Sequence, residues 1–338
     1  MSASTVSVIG AGGWGTALAL VMARRATARD ATIPLWGHDP AHVMAMQDDR
    51  INEKYLPGIP FAATIQPTNS LADCASSDLL FLVVPSSHLA EIASQLASVG
   101  VGKETIIVSC TKGIEQERGF LMSELLSEKL PGAKIAVLSG PNLAGEVARA
   151  IPAACVIGSE STESLTRVQA FFEGTKFRPY TSADVRGIQL GGALKNIFAI
   201  AAGISDGLGL GENARAGIVT RSLAEMTRLG VAMGGERETF HGLSGIGDLM
   251  VTCFSASSRN HQVGFRLGRG ESLRAISKSM TMVAEGIPTT ASASACARRL
   301  GVETPIIDQI HALLHEEKSP AQAMKDLLSR QLRAEEEV

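Results

Sequence analysis

The sequence predicts an α/β unit built on a parallel sheet, residues 1–184, followed by an all-α unit, residues 185–338. Two observations carry the first half of that expectation. Short β-prone apolar runs alternate with Ala/Leu-rich helical stretches, and a glycine-rich turn joins the first run to the first helix. A third carries the second half: beyond about Asp184 the β-branched runs disappear and long Ala/Leu/Gly-rich helical patterns take over. A chain of 338 residues is also too long for one ordinary core and suits two domains.

The elements follow in order. Val6-Ser7-Val8-Ile9 is a short strand ending at glycine, and a helix is expected from about Thr16 to Ala28. Thr32 to Trp36 is the next strand. Leu79 to Val84 is a continuous apolar run ending at Pro85, as a strand covered on both faces would be. Thr105 to Cys110 and Lys134 to Leu138 repeat the pattern with helical segments between, and parallel strands with crossover helices are the economical arrangement. In the second half, helices are expected over Gly191 to Ala202, Ala214 to Leu229 and Ile306 to Arg333. Pro305 precedes the last of these, and Glu335-Glu336-Glu337 follows it.

Composition excludes several function classes. Hydrophobic residues make up 45% and charged residues 19%, a globular rather than disordered balance. With 31 Lys plus Arg against 34 Asp plus Glu, the net charge is -3. There is no basic field to attract nucleic acid and no polybasic segment for a membrane surface. An anionic ligand must be held by a few local cations. Cys74, Cys110, Cys155, Cys253 and Cys296 are scattered, as reduced thiols in a reducing compartment would be. The apolar stretch Val6 to Met22 carries four glycines and has Arg24 and Arg25 after it rather than before it, the opposite of a secretory signal. A cytoplasmic protein without membrane insertion is expected. No Cys/His cluster supports a metal.

Gly10-Ala11-Gly12-Gly13-Trp14-Gly15 is GxGxxG directly after a strand and directly before a helix. That context is the fingerprint of a Rossmann-type dinucleotide site. The first glycine makes the tight turn, the second admits the pyrophosphate, and the third lets helix and strand pack closely. The helix N-terminus adds N–H groups and the positive end of its dipole. Coenzyme choice stays open between NAD and NADP. The second strand ends Leu35-Trp36-Gly37-His38-Asp39; His38 suits a 2′-phosphate or is a solvated turn residue, and Asp39 binds ribose or caps the next helix.

Further segments fall in a distinctive order: Asn52-Glu53-Lys54-Tyr55-Leu56-Pro57-Gly58, Val84-Pro85-Ser86, Thr111-Lys112-Gly113-Ile114-Glu115 and Ser139-Gly140-Pro141-Asn142-Leu143-Ala144. Then come Gly191-Gly192-Ala193-Leu194-Lys195-Asn196, Gly245-Ile246-Gly247-Asp248-Leu249, Ser258-Arg259-Asn260 and Val283-Ala284-Glu285-Gly286. Together they closely resemble the bacterial-type NAD(P)-dependent glycerol-3-phosphate dehydrogenases, from about Val6 to Pro305. The Gly-Ala-Leu-Lys-Asn and Gly-Asp-Leu motifs are far more specific than the glycine turn. The resemblance implies a Rossmann domain joined to a helical domain, a homodimer, and an active site between the domains. It also implies reduction of dihydroxyacetone phosphate to sn-glycerol 3-phosphate, feeding phospholipid synthesis. Two positions depart from the common pattern: His38 stands where many relatives have arginine, and Asn142 where many have serine.

Reducing a ketone needs hydride on carbon and a proton on oxygen. By resemblance Lys195 is the acid/base, and Lys112, Asp248 and Thr252 complete the catalytic set. Read from the residues alone, Lys195 in an apolar helix is either a buried working amine or a side chain snorkelling from a helix edge. Lys112 follows a strand and is expected at its C-terminal edge, where open α/β sheets bind ligands. Asp248 either orients Lys195, opposing the effect of Lys112 and of burial on the amine, or caps a helix. The resemblance places Gly140, Asn142, Lys112, Lys195, Asp248, Ser258, Arg259 and Asn260 around substrate. It places Gly10, Gly12, Gly13, Trp14, Gly15, His38, Lys112, Ala144, Arg259, Val283 and Glu285 around coenzyme. Arginine's planar fork suits the substrate phosphate. Two alternatives remain: a related 3-hydroxyacid or 6-phosphogluconate-type dehydrogenase, and a non-catalytic dinucleotide sensor.

Overall fold

The computed structural model describes residues 5–25, 32–280, 282–331 and 334–335. The chain forms two compact units: residues 1–111 with 122–185, and residues 112–121 with 186–338. A single division at 184 therefore omits one exchange, because the short segment 112–121 belongs with the helical unit. Its Ile114 and Leu121 are buried in that unit's core, and the Ser292 hydroxyl donates to the Ile114 carbonyl at 2.9 Å.

The first unit is an eight-stranded sheet: β1 (Val6–Ile9), β2 (Ile33–Trp36), β3 (Ile65–Thr68), β4 (Leu79–Leu82), β5 (Ile106–Ser109), β6 (Lys134–Ser139), β7 (Ala153–Gly158) and β8 (Phe177–Ser182). The spatial order is β3-β2-β1-β4-β5-β6-β7-β8, so the chain reverses its direction of growth between β1 and β4. This is the Rossmann-type order, and its switch point lies beside β1. Continuous apolar runs are explained by cover on both faces. Leu79 and Phe81 of β4 point into one core while Leu80 and Leu82 point into another, and Ile106 and Ile107 of β5 divide the same way.

The strands expected to be parallel, β1, β2, β4, β5 and β6, pair in parallel, and β7 departs from them. β6 and β7 pair antiparallel, with Val137 opposite Gly158. The chain turns at Gly140 (φ +138°) and then forms only the five-residue helix Ala144–Ala148. That helix spans about 7.5 Å, too short to return the chain along a six-residue strand of about 20 Å. The next strand therefore starts from the same edge and runs back.

Helix Gly13–Ala23 begins at the glycine turn, earlier than the expected Thr16; residues 26–28 of that expectation lie outside the described residues. The single helix expected from Ile306 to Arg333 is two helices, Pro305–His315 and Pro320–Leu328. Proline has no N–H to continue a helix, Ser319 caps the new one by accepting from the Gln322 N–H, and Glu317 turns the chain at φ 56°. Residues 332–333, 336 and 337 of the expected C-terminal stretch lie outside the described residues.

In the helical unit, Val185–Gly207 is the central helix. Among the described helices it alone is long and apolar enough to cross a membrane, and its apolar 18-residue stretch is buried within the protein. Helix Arg259–Gly268 lies against it at backbone distance. A Cβ on Gly264 would stand 2.0 Å from the Ile200 carbonyl oxygen, and one on Gly203 would stand 2.1 Å from that of His261. Elsewhere the buried Glu225 carboxylate accepts from the Ile306 and Ile307 N–H groups at 2.9 and 2.8 Å, closing the N-terminus of Pro305–His315. Burial pushes its carboxyl up to about 7.

Candidate active site

In the first unit, β1 runs into the glycine turn and helix Gly13–Ala23 leaves it. A Cβ on Gly10 would meet the Val83 carbonyl oxygen at 2.3 Å, and one on Gly15 would meet the Gly10 carbonyl oxygen at 1.9 Å. A side chain at Gly10 would push the turn away from the end of β4, and one at Gly15 would push the helix away from the turn. Gly12 is the opposite case, since a Cβ there would have no atom within 4 Å. The helix opens at Gly12 without a side-chain cap. A bare helix N-terminus facing open space fits a dinucleotide pyrophosphate, which takes backbone N–H donors and the positive dipole end.

Ala144 lies beside this turn, 3.9 Å from the position of a Gly13 Cβ, and the Trp14 and Phe177 rings pack at a tilt with centroids 6.0 Å apart. Gly140 and Asn142 are on the loop that follows β6. The Asn142 amide donates to the Ala154 carbonyl at 2.9 Å, while its buried Oδ1 has no hydrogen-bond partner among the described residues. At the end of β2, Asp39 proves to be the helix cap: it accepts from the Ala41 and His42 N–H groups at 3.1 and 3.4 Å. His38 is exposed.

The second unit gathers the ionisable set. Lys195 projects from Val185–Gly207 and is 8% exposed. Asp248 opens helix Asp248–Phe254 after a π-helical turn, Leu243–Gly247, and is 1% exposed. A helix cap was one expectation for this aspartate. The cap residue is instead Gly247, and the carboxylate turns to two amines. Its Oδ1 lies 3.0 Å from Lys195 Nζ, and its Oδ2 lies 2.5 Å from Lys112 Nζ. Thr252, one helical turn on, accepts from Lys195 Nζ at 2.7 Å and donates to the Asp248 carbonyl at 2.6 Å. Lys112 follows the C-terminal end of β5 by three residues and groups with the helical unit, on the segment that carries the buried Ile114 and Leu121.

Opposed influences act on the Lys195 amine. Burial lowers its pKa, Asp248 raises it, and Lys112 lowers it. Burial wins, and the amine is pushed down to about 8. The physical reason is that one carboxylate serves two ammonium groups, so it does not fully offset the loss of hydration.

Helix Arg259–Gly268 supplies the remaining residues. Ser258 caps it, its hydroxyl oxygen accepting from the His261 N–H at 3.3 Å. Arg259 donates to the Val283 carbonyl at 2.8 Å, which ties the 283–285 segment to this helix. Asn260 is buried; it donates to Asn196 Oδ1 and accepts from the Gly286 N–H, both at 2.9 Å. Asn196 was absent from the predicted site, yet it follows Lys195 directly and shares this network. A buried amide inside an apolar helix was the available signal. Thus Lys112, Lys195, Asp248, Thr252, Ser258, Arg259, Asn260, Val283 and Glu285 fall in the helical unit, and the glycine turn, His38, Gly140, Asn142 and Ala144 fall in the sheet unit. Among the described residues no group of His, Cys, Asp and Glu is arranged to hold a metal ion.

A dinucleotide turn in a Rossmann-type sheet, with a buried amine of lowered pKa in a helical unit, defines a nicotinamide-dependent dehydrogenase that works on a carbonyl or alcohol. Comparison with known proteins narrows the class. Residues 5–165 match the model of the NAD-dependent glycerol-3-phosphate dehydrogenase N-terminus, and residues 184–325 match that of its C-terminus. The chain belongs to the NAD-dependent glycerol-3-phosphate dehydrogenase family. It is 47% identical to the glycerol-3-phosphate dehydrogenase (NAD(P)+) of Syntrophotalea carbinolica, across 98% of this chain and 99% of that one. Identity to the enzyme of the same name from Geobacter sulfurreducens is 44%, across 98% of each chain. The crystal structure of glycerol-3-phosphate dehydrogenase from Coxiella burnetii superposes with a TM-score of 0.92 at 38% identity, covering 97% of this chain and 99% of that one.

Proposed function

We propose that this enzyme interconverts dihydroxyacetone phosphate and sn-glycerol 3-phosphate with NAD or NADP, and that Lys195 moves the proton. The observation that supports the proton role most is the Lys195 amine itself: buried, held by Asp248 and Thr252, and lowered to about 8. Near neutral pH such an amine is mostly protonated yet loses its proton readily, as an acid/base working in both directions must.

When bound, the coenzyme supplies or accepts the hydride at C2. Lys195 Nζ gives a proton to the oxygen on C2 as the ketone is reduced, and takes it back from the hydroxyl in oxidation. Thr252 and Asp248 Oδ1 fix the direction of the amine. Lys112 occupies the other carboxylate oxygen and so limits the hold of Asp248 on the Lys195 proton. Arg259, with Ser258 and Asn260, takes the phosphate, since a guanidinium fork matches phosphate oxygens in a way one ammonium cannot. Gly10, Gly12, Gly13, Trp14 and Gly15 cradle the coenzyme with Ala144 and His38, and Val283 and Glu285 contact it from the helical unit. The sheet unit is the dinucleotide-binding domain and the helical unit the catalytic one. A cytoplasmic setting is supported by five cysteines that are scattered along the chain and all buried. The assembly is a homodimer, which size-exclusion chromatography with light scattering checks.

The direct test follows NADH and NADPH absorbance with and without dihydroxyacetone phosphate. Oxidation that depends on the ketone supports the assignment. Tight coenzyme binding with no turnover would favour a dinucleotide sensor instead, and turnover only of a carboxylate substrate would favour a hydroxyacid dehydrogenase. A second outcome concerns Asp248. Asp248→Asn removes the group that raises the Lys195 pKa and leaves Lys112 beside it, so the apparent pKa of the rate profile falls below that of wild type. An unshifted profile in the folded variant would detach Asp248 from the amine.

A further inference from the structure

The motif Asn52 to Gly58 has no part in the proton chemistry, yet its first residue is among the most completely engaged polar side chains in the sheet unit. Asn52 is 0% exposed. Its amide nitrogen donates to the Ala11 carbonyl at 2.9 Å and to Thr16 Oγ1 at 2.7 Å. Its Oδ1 accepts from the Tyr55 N–H at 3.2 Å and faces His42 Nε2 at 3.0 Å. The orientation of the amide is fixed by partners that have only one role. A carbonyl only accepts and a backbone N–H only donates, so the nitrogen must face Ala11 and the oxygen Tyr55. His42 then presents its proton on Nε2.

Ala11 and Thr16 bracket the glycine turn. A trans peptide directs its C=O and N–H to opposite sides. Holding the Ala11 carbonyl toward the buried Asn52 therefore turns the Gly12 N–H the other way, at the residue whose Cβ position is open. The same loop touches the turn again, for the Tyr55 carbonyl oxygen lies 2.9 Å from where a Gly13 Cβ would stand.

We propose that Asn52 is a positioning residue for the coenzyme, one that presets the Ala11–Gly12 peptide and the first turn of helix Gly13–Ala23 to receive the pyrophosphate. The inference rests on the dinucleotide role of the glycine turn. Fixing donors before binding removes an ordering cost that the ligand would otherwise meet. Asn52→Asp keeps the shape, loses both donated hydrogen bonds and adds a negative charge behind the turn. Asn52→Ala loses all four contacts.

The test is a titration of each protein with NADH and with NADPH, read by quenching of the two tryptophans, Trp14 and Trp36, together with steady-state kinetics. Both variants are expected to raise the coenzyme Kd by about tenfold or more, with kcat at saturating coenzyme and the KM for dihydroxyacetone phosphate within about twofold of wild type. Thr16→Val, which removes a single acceptor, guards against a misfolded Asn52 variant and is expected to raise Kd by about threefold. Unchanged Kd in folded variants overturns the role of Asn52, as does a fall in kcat without a change in Kd. Failure of wild type to bind either coenzyme would overturn the reading of the glycine turn instead.

Discussion

Replacing Lys195 with alanine lowers turnover of dihydroxyacetone phosphate by roughly 100- to 10,000-fold, the range that a positioned proton donor contributes. The loss appears in kcat, because the group acts on charge that develops during the reaction rather than on the bound ketone. Coenzyme affinity stays near that of wild type, since the glycine turn belongs to the sheet unit and the amine is held by Thr252 and Asp248 of the helical unit. Lys112 does not replace the missing group. Its ammonium is held against Asp248 Oδ2, and with Lys195 gone it has that carboxylate to itself. Stopped-flow or steady-state absorbance measures the rate, and tryptophan quenching measures the affinity. Near-normal turnover would remove Lys195 from the acid/base role.

Gly264→Val is expected to destabilise the helical unit by about 3 kcal/mol or more, at the upper end for overpacking because backbone rather than side chain is struck. The added Cβ would meet the Ile200 carbonyl oxygen at 2.0 Å, its carbon at 2.8 Å and the Ile204 nitrogen at 2.9 Å. None of these atoms can swing away, so the two helices must part. The consequence reaches the site, because the same helix pair carries Lys195 with Asn196 on one side and Arg259 with Asn260 on the other. The Asn196–Asn260 hydrogen bond spans that junction. Calorimetry is expected to show the melting temperature of this unit lowered by about 10 °C. An unchanged melt would mean that the helices do not approach as closely as described.

Much of the sheet was legible because covered strands leave a local mark. β1, β2, β4, β5 and β6 are apolar runs beside glycine, proline or polar stops. The other three strands carry weaker marks. β3 and β8 are the edge strands, and each contains a proline, Pro67 and Pro179. An edge tolerates proline, yet among polar neighbours the residue argues against a strand when only local pattern is read, whereas Pro34 of β2 lies among apolar residues. β7 was missed with its reversal, which depends on the length of the preceding helix rather than on its own residues.

The site divides along similar lines. Lys195 in an apolar helix and the glycine turn between strand and helix announce themselves. The grouping of Lys112 with the helical unit does not, because it depends on Ile114 and Leu121 entering a core made by residues far along the chain. The balance at Lys195 was also beyond local pattern. Its outcome depends on Asp248 being shared by two amines, a fact of three-dimensional contact. Asp39 illustrates the converse: a carboxylate at the end of β2 invites a ribose assignment, and two backbone N–H groups take it as a cap.

The measurement that bears most directly on the central claim is the pH dependence of kcat/KM in both directions, from about pH 6 to about pH 10. Reduction requires the ammonium and oxidation the free amine. With the Lys195 pKa lowered to about 8, reduction should fall and oxidation should rise through that value as the pH increases. Profiles that are flat across this range, or that move in the same direction, would contradict a proton passing through Lys195.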